Sequence, residues 1–438
     1  MVDVTYTDDK GKERVSIPGV IKALMNDNHL EFATIFGNKV EEIYIKEGYI
    51  WTRKGREVIH TTVEDMLGSF CSNHIIKEVE AKVKRITAIS REEFERVDPD
   101  LFCVENGVLN LITHELIFPE ENNYFKSKLN VKFNPEAQCP IIKKFLEEVL
   151  YPEDVLTIQE WFGFCLFRKY FIKKAMILVG EKNTGKTVLL NLISKFFGEK
   201  NVTGINLQRI SYGDKFAIAS LKDKLVNIFD DLSAKDLDAG GFKVATGGGY
   251  ITAEYKFGDS FQFMNFAKHI FATNKIPPVK DPNDDAYYER WLPIQLDNQI
   301  NSEEQDPFLL NKLTTSEELS GLLNWALEGL RRLLNKGKFS YSKDSKQIKY
   351  VMERSSHPLA TFVSDVLEQE NGNKISKETM FQIYTTYCIE NGLPRMSKSQ
   401  LGRNLFKYAV YVIPKHEKER YWENVKIKNK YGGVRSYT

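Results

Sequence analysis

Residues 180–187 read Gly-Glu-Lys-Asn-Thr-Gly-Lys-Thr, the spacing G-x-x-x-x-G-K-[ST], and this octapeptide constrains the fold more tightly than any other stretch. Gly180 and Gly185 permit backbone angles that other residues resist, so successive N–H groups can turn toward phosphate oxygens. Lys186 brings a positive charge to a β- or γ-phosphate, and the Thr187 hydroxyl suits Mg²⁺. The motif needs a buried strand before it and a helix behind it. The run AMILV (175–179) supplies the first and TVLLNLISKFF the second, so a helix dipole faces the anion. Gly180, Glu181, Lys182, Asn183, Thr184, Gly185, Lys186, Thr187 and Val188 are therefore the expected nucleotide-binding residues.

A cradle alone binds a nucleotide, and hydrolysis needs more. LVNIFDD ends an apolar run in Asp230 and Asp231, 44 residues after Lys186. Asp230 is placed to hold Mg²⁺ through water and Asp231 to orient and deprotonate an attacking water. Acidic pairs also cap helices, and only the company of the cradle favours the catalytic reading. HIFATN ends in Asn274, whose amide can bridge water and γ-phosphate, or can simply start the turn before Pro277-Pro278. Arg290 precedes WLPIQL; it can stabilise transition-state charge in a neighbouring subunit, or pair with Glu289.

Strand-type runs alternate with helical segments from Lys174 to about Lys336, which predicts an α/β sheet. A helix from about Ser316 to Leu334 closes the region, with Gly337 placed to end it, and 338–347 reads as a linker. The expected domains are 1–150, 151–336 and 345–438. In LFCVENGVLNLI, Asn106-Gly107 predicts a tight hairpin. A helical stretch is expected from about Cys139 to Tyr170, then helices over LATFVSDVLEQE and SKSQLGRNLFKY and a strand over YAVYVI.

The cradle, carboxylate pair, asparagine and arginine resemble the core of superfamily 3 helicases of the AAA+ class. The closest likeness is to the phage and plasmid primase-helicase group that includes the poxvirus primase-helicase. It covers roughly residues 95–335, with a weaker likeness toward the C-terminus. It implies an α/β AAA+ P-loop ATPase core, a mainly helical N-terminal region and a C-terminal winged-helix-like domain. It also implies ATP and Mg²⁺ as ligands, single- and double-stranded DNA as partners, a homo-oligomeric ring, a hexamer, and a primase or polymerase as a further partner. Relatives carry a Lys-x-x-Thr-Gly-Gly-Asp pattern before a hairpin that enters the ring's pore. Lys243, Thr246 and Gly247 fit that pattern, whereas Gly249 stands at the Asp position. By this resemblance Lys243, Lys256 and Phe257 are candidate DNA contacts; a solvated edge lysine is the plainer reading of Lys256.

Net charge is only +1, so any basic surface must be local. From Lys398 to Thr438 ten basic residues face three acids, and the rest of the chain is net acidic. The order of helices, SKSQLGRNL and a strand pair resembles a winged helix, placing Ser399, Arg403 and Lys407 on one face of its DNA-reading helix. A solubilising tail on a helical cap is the alternative. Five scattered cysteines, none in a CxxC pair, read as free thiols of a reducing compartment. No secretory signal or membrane span is legible, so a cytoplasmic location is expected, that of the host if the chain is viral. Two other functions fit parts of the pattern. A small-molecule or nucleotide kinase explains cradle and carboxylates but not the basic C-terminus, and an ATP-gated DNA-binding initiator needs no unwinding.

Overall fold

A computed structural model describes residues 4–36, 41–118, 123–233, 235–256, 258–281, 283–300, 303, 305–356, 358–391, 393, 395–416 and 420–428. The chain divides into two compact units, Met1–Ala137 and Gln138–Thr438. The expected boundary at 150 differs from this division, which assigns 138–150 to the second unit.

The first unit is mixed rather than mainly helical, which corrects the sequence expectation. Helices Gly55–Leu67 and Asn73–Ile86 accompany a four-stranded sheet, ordered Ile50–Thr52, Glu42–Glu47, Phe32–Ile35, Ala88–Ile89. The runs FATI and EIYIKE are β-branched and aromatic, residues that fill a pleated surface, and their inward side chains meet Ile59, Val63, Val79 and Val83 of the helices. The hairpin near Asn106 forms, but Val104 pairs with Gly107, so Glu105 and Asn106 make the turn. The Asn106 amide instead ties down another segment: it donates to the Phe133 carbonyl at 3.0 Å and accepts from its N–H at 2.8 Å.

In the second unit the helical stretch after Cys139 is two helices, α1 (Pro140–Val149) and α2 (Pro152–Leu166). Proline opens each, where a missing N–H costs nothing. A five-stranded parallel sheet follows, built from β1 (Ala175–Val179), β2 (Val202–Thr203), β3 (Val226–Phe229), β6 (Lys268–Thr273) and β7 (Trp291–Gln295). Its spatial order is β2-β3-β6-β1-β7. Strand β1, flanked by β6 and β7, is buried throughout, as its unbroken apolar run requires. Pro293 lies in β7, an edge strand whose free side needs no donor, and its carbonyl accepts from the Tyr341 hydroxyl at 2.6 Å. Helix α3 (Lys186–Phe197) follows β1, and α4 (Ala239–Ala245) precedes an antiparallel hairpin, β4 (Tyr250–Glu254) and β5 (Ser260–Met264). The short α5 (Asp285–Tyr288) leads into β7.

Helix α6 (Ser316–Lys336) begins at Thr315, whose hydroxyl accepts from the Glu318 N–H, and ends at Gly337 with φ +65°. The Glu318 carboxylate accepts from the N–H groups of Ile141 and Ile142, so α6 caps the positive end of α1. Helices α2 and α6 touch backbone to backbone: a Cβ on Gly163 would lie 2.4 Å from the Ala326 oxygen. Glu160, fully buried between them, is met by Arg332 at 2.6 Å and by the Ser340 N–H and hydroxyl. A buried carboxylate needs this many donors.

After α7 (Ser345–Ser356) the chain forms a C-terminal domain of α8 (Pro358–Val366), β8 (Leu367–Ser376), α9 (Lys377–Glu390), α10 (Lys398–Tyr408), β9 (Ile413–His416) and β10 (Arg420–Ile427). The strands order β8-β10-β9 over a core that includes Phe362, Tyr384, Tyr387, Leu405 and Trp422. Part of the expected helix, LEQE, is strand here. The expected strand YAVYVI is the end of α10 and a turn, leaving Val410 84% exposed, and the strand starts at Ile413.

Candidate nucleotide site

The eight residues 180–187 span the C-terminal end of β1 and the first turn of α3. Gly185 caps the helix at φ +88°, and Asn183 is also left-handed at φ +63°, so two of the loop's peptides point where an L-residue rarely allows. The side of Gly180 is closed by backbone: a Cβ there would lie 2.2 Å from the Leu296 carbonyl oxygen, just past β7. The Lys186 ammonium donates to the carbonyls of Gly180 and Glu181 at 2.7 and 2.6 Å, inside the loop. Burial holds its pKa below the ordinary lysine value, against the opposing pull of Asp230 and Glu181. Buried Thr184 braces the loop by donating to the Glu181 carbonyl at 3.0 Å, and Glu181, Lys182 and Val188 complete its length.

The Thr187 hydroxyl donates to Asp230 Oδ2 at 3.0 Å. Asp230 follows β3, two strands away from β1, so the contact spans the end of the intervening β6. Asn274 stands at that end, exposed, and shares a cavity with Gly180 and Glu181. Asp231 is exposed at φ +59°, and its N–H donates to Asp230 Oδ1 at 2.9 Å. The parallel sheet thus brings phosphate loop, amide and carboxylates to one edge, at the carboxyl ends of the strands. Hydroxyl and carboxylate oxygens with glycine-opened N–H groups fit a Mg²⁺-bound triphosphate, since Mg²⁺ is held through few protein oxygens plus substrate phosphates. Among the described residues no group of three or more His, Cys, Asp or Glu could hold a metal by itself.

Arg290 is not in this cluster. Its carbonyl accepts from the Ala175 N–H at 2.7 Å, which fixes it at the opposite end of the sheet. Five residues of strand, about 16 Å at the usual rise, separate it from the loop of its own chain. Its Nη1 donates to the Ala286 carbonyl at 2.6 Å, and its Nε is buried with no hydrogen-bond partner among the described residues.

Of the candidate nucleic-acid contacts, Lys243 forms an ion pair with Asp284 at 2.6 Å. Lys256 is exposed in the turn joining β4 and β5, while Phe257 lies outside the described residues. Ser399, Arg403 and Lys407 are all exposed on α10, whose start is fixed by a capping box of Ser397 and Gln400. Lys430 and Arg435 of the basic terminus lie outside the described residues.

The sequence reading missed one part of the site. The cavity beside Gly180 and Asn274 encloses about 230 Å³, and its other walls are Tyr151, Asp297 and Gln299 together with Cys388, Ile389, Leu393 and Arg395 of the C-terminal domain. The Tyr151 hydroxyl donates to Asp297 at 2.7 Å, which with burial pushes its pKa up to about 12. No local motif marks these positions, because they meet only through the fold.

Comparison with known proteins adds a family. Residues 23–151 match the model described as D5 N terminal like, and residues 354–435 match poxvirus D5 protein-like. Residues 178–290, around the phosphate loop, match a family described as of unknown function, DUF5906. No curated relative matches the chain. Two solved A-form apo structures of the NrS-1 C-terminal region are similar in fold, each at 15% identity and TM-score 0.50 and each covering 93% of this chain; 99% and 98% of those chains are covered in return. D5-type models are thus matched on both sides of the phosphate loop, and these matches support a phage or viral primase-helicase family.

Proposed function

We propose that this chain is an ATP-driven DNA helicase of a virus, phage or plasmid, with an AAA+ motor of the superfamily 3 type and a winged-helix domain at its C-terminus. The observation that carries the reading is the contact of Thr187 with Asp230 across a strand that ends in Asn274. In this reading a hydrolytic water would lie between Asn274 and Asp231, facing the phosphate held by Lys186.

Lys186 would exchange its two carbonyl partners for phosphate oxygens, and its burial strengthens that attraction because little water screens it. Thr187 and Asp230 would hold Mg²⁺, which would supply positive charge against that of the phosphates. Asp231 accepts a proton from water, and Asn274 fixes that water's direction. Arg290, about a strand's length from its own cradle, suits the cradle of a neighbour in a homo-oligomeric ring, which we take to be a hexamer. The β4–β5 hairpin would carry Lys256 and Phe257 into the ring's pore, and α10 would offer Ser399, Arg403 and Lys407 to duplex DNA. Order of elements in the C-terminal domain, helix-strand-helix-helix-strand-strand, supports the winged-helix reading.

Lys186→Ala is the direct test. ATP hydrolysis and DNA unwinding should both disappear while thermal unfolding stays close to wild type. Unwinding by that variant would end the proposal.

A further inference from the structure

The first unit holds a groove that neither the nucleotide nor the DNA reading uses. Helix Ile17–Lys22, continued by the π-helical turn Ala23–Asp27, packs beside helix Asn73–Ile86. Val20, Leu24, Val79 and Val83 enter the core with Phe32, Ile43 and Ile45 of the sheet. Along the side turned to solvent the two helices bound a groove of about 780 Å³. Its floor is aliphatic: Ile21, Met25 and Ile86, the last 60% exposed. Its other walls include Lys22, Lys82 and Arg85, and among the described residues no carboxylate and no aromatic ring lines it.

A helix dipole favours cations in the last turn, which by itself accounts for Lys84 and Arg85. The two differ in company. Lys84 pairs with Glu80 at 2.6 Å and with Glu41 at 2.7 Å, and Glu80 also meets Arg56 and His60. Lys22, Lys82 and Arg85 form no ion pair among the described residues. Three such cations around an aliphatic floor leave the groove electropositive, and its complement is an apolar surface that carries carboxylates. From Pro18 to Met25 the wall runs about 10 Å, roughly two turns of helix, so a short amphipathic helix can lay its apolar stripe on the floor. Met25 suits such a groove, because a flexible thioether adapts to varied side chains. Nucleic acid is the poorer complement. The floor has no ring on which a base could stack, and phosphates would lose hydration against aliphatic side chains.

We propose that the groove between helices Ile17–Lys22 and Asn73–Ile86 is a docking site for an acidic amphipathic helix of a partner protein. Carboxylates of that helix reach Lys22, Lys82 and Arg85, and its aliphatic stripe covers Ile21, Met25 and Ile86. The inference stands on the first unit alone and depends on neither nucleotide nor DNA.

The test uses the full chain and a fluorescent peptide of about 14 residues, with leucines at i, i+3, i+4 and i+7 and glutamates on the other faces. Anisotropy should show saturable binding of one peptide per chain. A peptide of the same composition with its leucines scattered round the helix should bind about tenfold more weakly, since it presents no stripe. Lys22→Glu combined with Arg85→Glu should weaken binding about tenfold, and Ile86→Asp should do the same. These three side chains are exposed, so thermal unfolding should stay close to wild type, and the scattered-leucine comparison needs no variant at all. No binding by wild type, equal binding of both peptides, or binding untouched by the charge reversal overturns the proposal. So does an oligonucleotide that displaces the peptide and is itself weakened by the same substitutions, which would make the groove a nucleic-acid site. Dissociation of an oligomer by Lys22→Glu with Arg85→Glu in sedimentation would also overturn it, by assigning the groove to a second copy of the chain.

Discussion

Replacing Gly180 with alanine should disable the site without unfolding the protein, because the added methyl meets backbone. Its Cβ would stand 2.2 Å from the Leu296 carbonyl oxygen and 3.0 Å from Thr184 Oγ1, and real Cβ contacts essentially never fall below 3.0 Å. Relief requires the loop to move about 1 Å relative to β7, and a displacement of that size in a catalytic array costs on the order of 100-fold in rate. Overpacking should cost only about 1–3 kcal/mol of stability. Gly402→Ala is the matched control: nothing lies within 4 Å of its Cβ, and helix propensity favours alanine by about 0.5–1 kcal/mol. Steady-state phosphate release and thermal unfolding, measured on both variants, separate the two effects. Turnover by Gly180→Ala within about threefold of wild type, under about 1 kcal/mol in barrier, would refute the reasoning.

Mixing Arg290→Ala chains with Lys186→Ala chains should recover part of the ATPase activity that neither has alone, since an intact cradle then meets an intact arginine next door; no recovery would remove the arginine from trans catalysis. Lys256→Ala should lower DNA-stimulated hydrolysis several-fold and spare the unstimulated rate, and equal loss of both would count against a hairpin contact. Asp154 is buried, Oδ1 has no hydrogen-bond partner among the described residues, and burial raises its pKa from 3.8 to about 6, with Lys343 opposing and Glu153 adding. The folded protein therefore holds a proton that the unfolded chain has released, and this group's contribution to stability falls as pH rises from about 4 to 6. Asp154→Asn should be more stable at pH 7.5, by up to the order of 3 kcal/mol, with the gain vanishing below pH 4 in thermal unfolding scans. A gain independent of pH would show that packing, not ionisation, is responsible.

Much of the parallel-sheet region could be read in advance because its signals are local. AMILV is bounded by the same residues in the fold as in the sequence, and the leucine-rich helix ends at its glycine. Asp230 and Asn274 meet the loop because a parallel sheet brings every strand's carboxyl end to one edge. Elsewhere tertiary context decided. FATI and IWT are too short for periodicity to separate strand from helix, and the mainly helical first region rests on the family resemblance alone. LEQE reads as helix by propensity, yet pairing with β10 makes it strand. Asn106 follows its tie to Phe133 rather than the turn preference of Asn-Gly. Arg395, Tyr151 and Asp297 carry no motif, and only folding brings them to one cavity.

ATP-driven strand separation is tested most directly on a forked DNA duplex, with wild type and Lys186→Ala compared under ATP and under a non-hydrolysable analogue. Displacement of one strand by wild type, dependent on ATP and absent with the analogue or the variant, is the expected result. Hydrolysis without displacement, or displacement retained by Lys186→Ala, would contradict a DNA motor built on this phosphate loop.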